Sequence, residues 1–293
     1  MKKIYVEITN ICNLSCAFCP GTKRARAFME PDTFEVIAGK IKPYTDYVYL
    51  HLMGEPLLHK DLSKIIDIAR GKGLKVCITT NGTLLKNAEE ALGCGEKLHK
   101  ISISLQAQEA NVRLAGKDEY LETCFEFGQK AGETCIVAYR LWNEGGANSG
   151  NAHIMEVMER YFPKPWSEHQ RGYKLCKNVY LERGEVFDWP ELPGDASAEN
   201  ATGLNEIVVN DINKKPEPRF CYGLRDQLGI LVDGTVVPCC LDHNGDIPLG
   251  NILTEELCDI INSDRAQEIY NGFSGGKAVE ELCKNCGYAT RFN

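Results

Sequence analysis

No apolar run among the 293 residues approaches the ~18 that a membrane span needs, and Glu7 interrupts the only apolar stretch near the start. Met1-Lys2-Lys3 therefore leads into no signal peptide, and the chain reads as cytoplasmic. A surplus of positive charge is also missing: Lys plus Arg number 33 against 41 for Asp plus Glu, a formal net charge of −8. That balance disfavours a general nucleic-acid binder and a polybasic membrane binder, leaving room only for a local basic patch. There is no internal repeat and no low-complexity tract. Apolar residues at 43% and charged residues at 25% are ordinary globular usage, which excludes wholesale disorder. A chain of this length buries roughly three quarters of its unfolded surface, so it needs no disulfide scaffold.

Cysteine, by contrast, is abundant. Fourteen is high for a cytoplasmic chain, where disulfides are rare and clustered thiols mean metal or catalysis. Cys12, Cys16 and Cys19 crowd one segment, and Cys283 and Cys286 another.

Up to about residue 182, strand-like runs alternate with amphipathic helices. Ile4 to Ile8, Tyr47 to Leu52, Lys75 to Thr79, Lys100 to Leu105 and Thr134 to Tyr139 have the short β-branched or aromatic character of strands. The spacing of Phe34, Ile37, Ala38 and Ile41 predicts a helix after Pro31, with Asp32 as N-cap, Glu35 in capping-box position and Pro43 as the stop. Leu62, Ile65, Ile66 and Ala69 mark a second helix, and Leu121, Cys124 and Phe125 a third that starts at Asp118. Repeated β-then-α units imply a parallel sheet, open or closed into a barrel. Residues 142–218 are less regular, with a helix at 152–162 and a long surface connection from Pro190 to Leu204. In the C-terminal part, Leu228 to Leu231 and Thr235 to Val237 flank Asp233-Gly234, a strong hairpin signal. A helix capped by Thr254 follows, with Leu257, Ile260 and Ile261 facing inward.

Cys12-x3-Cys16-x2-Cys19 directly follows the first strand. Three thiolates on one tight loop can bind three irons of a [4Fe–4S] cube and leave the fourth iron open, which is how a metal site becomes reactive. A structural zinc loop would want a fourth Cys or His nearby, and there is none in the sequence around it. The motif resembles that of the radical S-adenosylmethionine (SAM) superfamily, whose CxxxCxxC loop follows the first strand of a partial (β/α)6 TIM-like barrel. Further motifs fall in the family's order. Gly54-Glu55-Pro56 follows the second strand, where the family binds the methionine amino group, with Met53 in place of a more usual Gly. Asn81-Gly82 follows the third strand, and Ser104 and Gln106 end the fourth, where relatives contact the SAM ribose and carboxylate. Phe18 occupies the position whose backbone meets the adenine, and Arg140, ending the fifth strand, is placed to pair with the SAM carboxylate or in an ordinary salt bridge. All these positions lie at the C-terminal ends of strands, where parallel barrels build active sites.

Cys221, Cys239 after Gly234, and the pair Cys283-x2-Cys286 form a second constellation resembling the SPASM and twitch auxiliary-cluster domains of such enzymes. Only seven residues follow Cys286, so the shorter, single-cluster twitch-like form is the better match. Spacing alone leaves [4Fe–4S] and zinc both open there, and Cys240 stands as an alternative to Cys239. Cys77, Cys124, Cys135 and Cys258 read as small apolar core residues, and Cys94 and Cys176 receive no role. The expected divisions are residues 1–182 for the barrel, 183–218 for a connection and 219–293 for a small α+β cluster domain.

The resemblance implies an enzyme with a SAM-binding [4Fe–4S] cluster, S-adenosyl-L-methionine and an auxiliary [4Fe–4S] cluster. A reduced cluster would cleave SAM to a 5′-deoxyadenosyl radical that abstracts hydrogen from a substrate. An auxiliary site closed by four thiolates would accept an electron, which favours a radical SAM oxidoreductase acting on a small molecule or short peptide. Its reductant would be an external one-electron donor such as flavodoxin or ferredoxin. The alternatives are a maturase that crosslinks or epimerises ribosomal peptides and, from another class, an iron–sulfur electron carrier without radical chemistry. The run Lys23, Arg24 and Arg26 beside the first cysteine loop could attract an anionic group or merely form a solvated face.

Overall fold

The computed structural model describes residues 1–193 and 220–292. Strands β1 (Lys3–Val6), β2 (Tyr47–Tyr49), β3 (Lys75–Thr80), β4 (Lys100–Ser104) and β5 (Ile136–Glu144) coincide with the five apolar runs. Between them lie α1 (Pro31–Ile41), α2 (Leu62–Gly71), α3 (Leu85–Leu92) and α4 (Asp118–Ala131), with α5 (Asn151–Tyr161) after β5. A hairpin and return strand follow as β6 (Ser167–His169), β7 (Gly172–Cys176) and β8 (Val179–Glu185). The C-terminal part contributes β9 (Gln227–Ile230), β10 (Thr235–Val237), β11 (Gly250–Asn251), α6 (Leu257–Ile261), α7 (Asp264–Ser274) and α8 (Glu281–Lys284).

Among the described residues eleven strands form one open sheet in the order β11-β10-β9-β1-β2-β3-β4-β5-β8-β7-β6. From β9 to β8 every neighbour is parallel, and the outer pairs at both edges are antiparallel. Strands β1 to β5 and β8 are thus the six strands of a partial (β/α)6 barrel. Alternation along each strand sorts the side chains. Ile4, Val6, Val48, Val76, Ile78, Ile101, Ile103, Val137 and Tyr139 are buried in one core with Phe34, Ile37, Ile65, Ile66, Leu121 and Phe125 of the helices. Each such side chain, fully buried, contributes roughly 1.5–3 kcal/mol. The intervening residues, among them Tyr5, Tyr49, Cys77, Thr79, Lys100 and Arg140, turn to the inner face.

Several local expectations are corrected. Helix α1 starts at Pro31, whose fixed φ suits the first helical position; Asp32 lies inside the first turn, and no side chain caps the helix. The helix expected from Thr254 begins at Leu257 and lasts five residues. Cys258 on it is exposed, whereas Cys77, Cys124 and Cys135 are buried. Strand β8 lies in the segment read as irregular, although Val179 and Leu181 alternate with Tyr180 and Glu182. Helix α7 was not anticipated; Ser263 caps it, and Ala266, Ile269 and Phe273 face inward. The connection expected at 190–204 lies, from residue 194 on, outside the described residues. Among the described residues no helix is long and apolar enough to cross a membrane.

Candidate cluster and cofactor sites

The loop after β1 is clamped at its base. Thr9 forms an isolated bridge with Phe28, and its hydroxyl donates to the Ala27 carbonyl (2.9 Å). Asn10 donates through Nδ2 to the Ala25 carbonyl (2.8 Å) and accepts from the Ala27 amide (2.9 Å). Cys12 to Cys19 therefore project as a closed excursion. Within it the Cys19 amide donates to the Cys16 carbonyl at 3.0 Å, folding Cys16 and Cys19 together. Cys12 and Cys19 are exposed and Cys16 half-buried. The Cys12 sulfur accepts from the Leu14 amide (3.4 Å) and from Asn81 Nδ2 (3.8 Å). Partial burial raises all three thiols, and Cys16 is pushed up to about 12, with Cys19 and Cys12 adding to the effect. Burial and mutual repulsion disfavour bare thiolates on this loop, a cost that a bound iron–sulfur cluster would offset, so the donor set fits one.

Gly54 is required where it stands. Its φ is +75°, and a Cβ there would lie 2.5 Å from the Thr9 carbonyl oxygen. The next amide, that of Glu55, donates to the Ile11 carbonyl (2.8 Å), so the turn is fastened to the residue before Cys12. Glu55 is buried, and its carboxylate accepts from the Leu57 amide (3.0 Å), the Thr80 hydroxyl (2.8 Å) and the Asn81 amide (2.7 Å). Burial raises its pKa to about 7 against those three donors. Glu55 thus ties the turn after β2 to β3 through its carboxylate and to the cysteine loop through its amide, and Pro56, also buried, starts the following 3-10 turn.

Asn81 continues the chain of bonds. Its Nδ2 donates to Asn13 Oδ1 (2.9 Å), and its Oδ1 accepts from Thr83; Asn13 in turn donates to the Thr83 hydroxyl (2.8 Å). Ser104 ends β4 with its carbonyl accepting from Tyr120 (3.4 Å). Gln106 is buried with Oε1 unpartnered, a polar atom that a bound group would satisfy. The Phe18 carbonyl accepts from Trp189 Nε1 (3.0 Å). Arg140 lies level with Ser104 in the register; its Nε donates to Glu182 (3.4 Å) and its Nη1 to Thr79 (3.3 Å).

In the C-terminal part, Cys221, Cys239, Cys283 and Cys286 line one apolar cavity with Pro238, Leu241, Phe273 and Leu282. Burial raises Cys239 well above the ordinary thiol range, and the other cysteines add to it. Among the described residues no three Cys, His, Asp or Glu converge tightly enough to chelate a single ion. Four thiols from separate stretches of chain facing one apolar cavity are a donor set that suits a four-thiolate iron–sulfur cluster. Cys240 turns elsewhere. Its surroundings are Tyr5, Lys3 and Arg140 of the inner face, and Cys239 alone of the adjacent pair enters the cavity.

Sequence reasoning missed the joint between the two cysteine sites. Glu7, fully buried, receives both Nη atoms of Arg24 (2.8 and 2.6 Å) and the amides of Met53 and Val232. Arg24 Nε donates to the His243 carbonyl (3.0 Å), Thr22 to the same carbonyl (3.0 Å), and the Lys23 amide to Asn244 Oδ1 (3.0 Å). Arg24 is therefore a fastening between the two loops and does not attract an anion; Arg26 is exposed. A glutamate within a buried strand was the available signal, since such a group is rarely buried unpaired.

Comparison with known proteins agrees with this geometry. Residues 6–133 match the radical SAM superfamily, and residues 221–287 match SPASM, described as an iron–sulfur cluster-binding domain. The chain is 33% identical over 275 residues to a probable GTP 3′,8-cyclase of Sulfurisphaera tokodaii, covering 86% of this chain and 85% of the relative. It is 27% identical over 301 residues to the GTP 3′,8-cyclase of Aquifex aeolicus, covering 97% and 89%. Among solved structures, BtrN in complex with AdoMet and 2-DOIA superposes with a TM-score of 0.57 at 18% identity, over 97% of this chain and 92% of that one. Streptococcus suis SuiB bound to S-adenosylmethionine does so at 0.61 and 17%, over 97% and 70%. The chain belongs to the radical SAM superfamily with a C-terminal SPASM domain, and its cofactors are a [4Fe–4S] cluster, S-adenosylmethionine and an auxiliary iron–sulfur cluster.

Proposed function

We propose that this radical SAM enzyme carries out a net two-electron oxidation of a small molecule or short peptide. The observation that carries the reading is the gathering of Cys221, Cys239, Cys283 and Cys286 around one apolar cavity. Four thiolates leave no iron free to hold a substrate, so the auxiliary cluster is suited to accept an electron. When bound, the reduced cluster and SAM supply a 5′-deoxyadenosyl radical that takes a hydrogen atom from the substrate.

The chain's own residues have four tasks. Cys12, Cys16 and Cys19 would hold the first cluster through their three sulfurs. Gly54, Glu55 and Pro56 fix the rim beside that loop, with Glu55 acting through its bonds to Thr80 and Asn81. Phe18, Asn81, Ser104 and Gln106 border the space left for SAM, Gln106 with an unsatisfied oxygen. The inner face between β5 and the C-terminal part encloses the substrate, and its aromatic rings exclude water from the radical step. An auxiliary cluster held by Cys221, Cys239, Cys283 and Cys286 would supply an acceptor for the electron that the substrate radical must lose, along with a proton, to complete a two-electron oxidation.

The test uses anaerobically reconstituted protein with SAM and a one-electron reductant such as reduced flavodoxin or ferredoxin, offered short peptides, aminocyclitols and GTP in turn. Formation of 5′-deoxyadenosine with a product lighter by two hydrogens supports the reading. Absence of 5′-deoxyadenosine overturns it, leaving an electron carrier. A product isomeric with its substrate, as from an epimerising maturase, overturns the oxidation.

A further inference from the structure

Two guanidinium groups meet on one indole ring at the mouth of the barrel. Arg140, from β5, lies 4.6 Å from the Trp142 ring centroid, and Arg291, near the C-terminus, lies 5.3 Å from it. Arg291 is further held over Phe187 (5.1 Å) and Tyr288 (4.8 Å). On a chain with net charge −8 this is a local surplus of positive charge. Lys100 joins it, and Glu182 is divided between Lys100 (2.7 Å) and Arg140 (3.4 Å).

The donors are underused. Each guanidinium carries about five N–H donors. Arg140 directs one to Glu182 and one to Thr79, and Arg291 one to the Glu185 carbonyl and one to the Tyr288 hydroxyl. Two cations sharing one ring in a partly dry setting repel each other, and an anion between them turns that repulsion into attraction.

A second, independent sign stands on the same face. His51 Nε2 is 3.1 Å from the Thr79 hydroxyl, the same hydroxyl that Arg140 contacts, while His51 Nδ1 is buried with no partner. Burial, then Arg140, Lys3 and Lys100, keep this ring neutral, with a pKa near 3. A buried neutral nitrogen without a partner is uncommon and points to a group that completes the site. A polar cleft of about 400 Å³ opens next to Arg291, walled also by Arg171, Arg183, Thr290, Glu144 and Glu185, with Arg183 paired to Glu144; Arg140 and His51 lie outside its lining.

We propose that the region between Arg140, Arg291 and His51 is a subsite for an oxyanion, a phosphate or a carboxylate, carried by a small-molecule substrate. Planar guanidinium groups match such oxygens two at a time, which fixes orientation as well as affinity. The proposal rests on the reading that the substrate chamber lies on this inner face.

The test labels arginines of the reconstituted wild-type protein with phenylglyoxal and quantifies each site by peptide mass spectrometry. Inorganic phosphate and sodium acetate are the probes, chloride at matched ionic strength is the reference, and exposed Arg26 is the internal control. One of the oxyanions should slow labelling of Arg140 and Arg291 about fivefold at roughly four times its dissociation constant, by mass action. Arg26 should react unchanged. Protection by phosphate alone assigns a phosphorylated substrate, and protection by acetate alone a carboxylated one. In Arg291→Gln, and more weakly in the charge-preserving Arg291→Lys, protection of Arg140 should diminish. Failure of both probes to protect overturns the proposal, as does protection of Arg140 by SAM alone. If oxyanions protect but no 5′-deoxyadenosine forms, the subsite stands and the radical reading falls.

Discussion

Cys12, Cys16 and Cys19 stand on a loop where Cys12 and Cys19 are exposed residues, whereas Cys221, Cys239, Cys283 and Cys286 surround an apolar cavity. The first set is presented by a short excursion between two clamped strand ends. The second is drawn from four places: the chain before β9, the end of the hairpin, helix α8 and the turn after it. A loop of three thiols with polar neighbours such as Asn81 leaves a position to fill, and a walled set of four leaves none. In the proposed reading, that contrast separates a site that reacts from a site that only passes charge.

The sharpest way to break the comparison is to remove one thiol from each set. Cys16→Ala should lose about four irons per chain and all 5′-deoxyadenosine formation, read by iron assay and chromatography. Cys283→Ala should keep SAM cleavage and lose the oxidised product. If Cys283→Ala also abolishes cleavage, the division of labour fails.

The joint between the regions gives the next effect. Arg24→Ala strands the buried Glu7 carboxylate without its partner, a loss of about 3–5 kcal/mol in denaturant unfolding. Because Arg24 also reaches the His243 carbonyl, both cysteine sites should become more labile to chelators together.

A smaller effect follows from Glu55. Its pKa in the folded chain is raised from 4.5 to about 7, so the folded state holds the proton more tightly than the unfolded chain. The Glu55 contribution to stability is therefore fully present in acid, is lost as the pH rises from about 4.5 through 7, and levels off above, by roughly 1–3 kcal/mol. Glu55→Gln should flatten that slope in thermal melts at a series of pH values. Smallest of all, Asn81→Ala removes the donors to Cys12 and Asn13, costing about 1 kcal/mol and leaving the second site untouched. A shift in the auxiliary cluster's spectrum would contradict the separation.

What was legible in the sequence was local. Five strands, the loop cysteines and the Asp233-Gly234 turn announce themselves by period, spacing and turn chemistry within a few residues. The sheet register then brings Glu55, Asn81 and the Cys12 loop together, as the motif order implied. What escaped depends on partners far apart in the chain. Arg24 looked like part of a basic run because Glu7 looked like a mere interruption, and only the fold sets them 2.6 Å apart. The spacing from Gly234 favoured Cys239 over Cys240, and the fold separates the two because successive side chains leave the backbone in opposite directions, one to the cavity and one to the inner face. Cys258 sits in a helix too short to bury it. The role of Arg140 was open because the salt bridge to Glu182 involves β8, a strand the pattern did not reveal.

The parallel pairing of β1 with β9 has a consequence for the order in which the protein is made. Lys3 lies beside Gln227 in that ladder, and Glu7 accepts from Val232, contacts that span about 225 residues. During synthesis the first strand emerges long before its neighbour and waits with one edge unpaired, a configuration prone to wrong pairing. Contacts of such separation also close slowly. The cysteine loop that hangs from β1 thus acquires its final footing only once the distal hairpin has docked. Iron loading at that loop belongs to the finished polypeptide, and a chain interrupted before residue 227 should present both an unsatisfied strand and a homeless cluster loop to the cell's quality control.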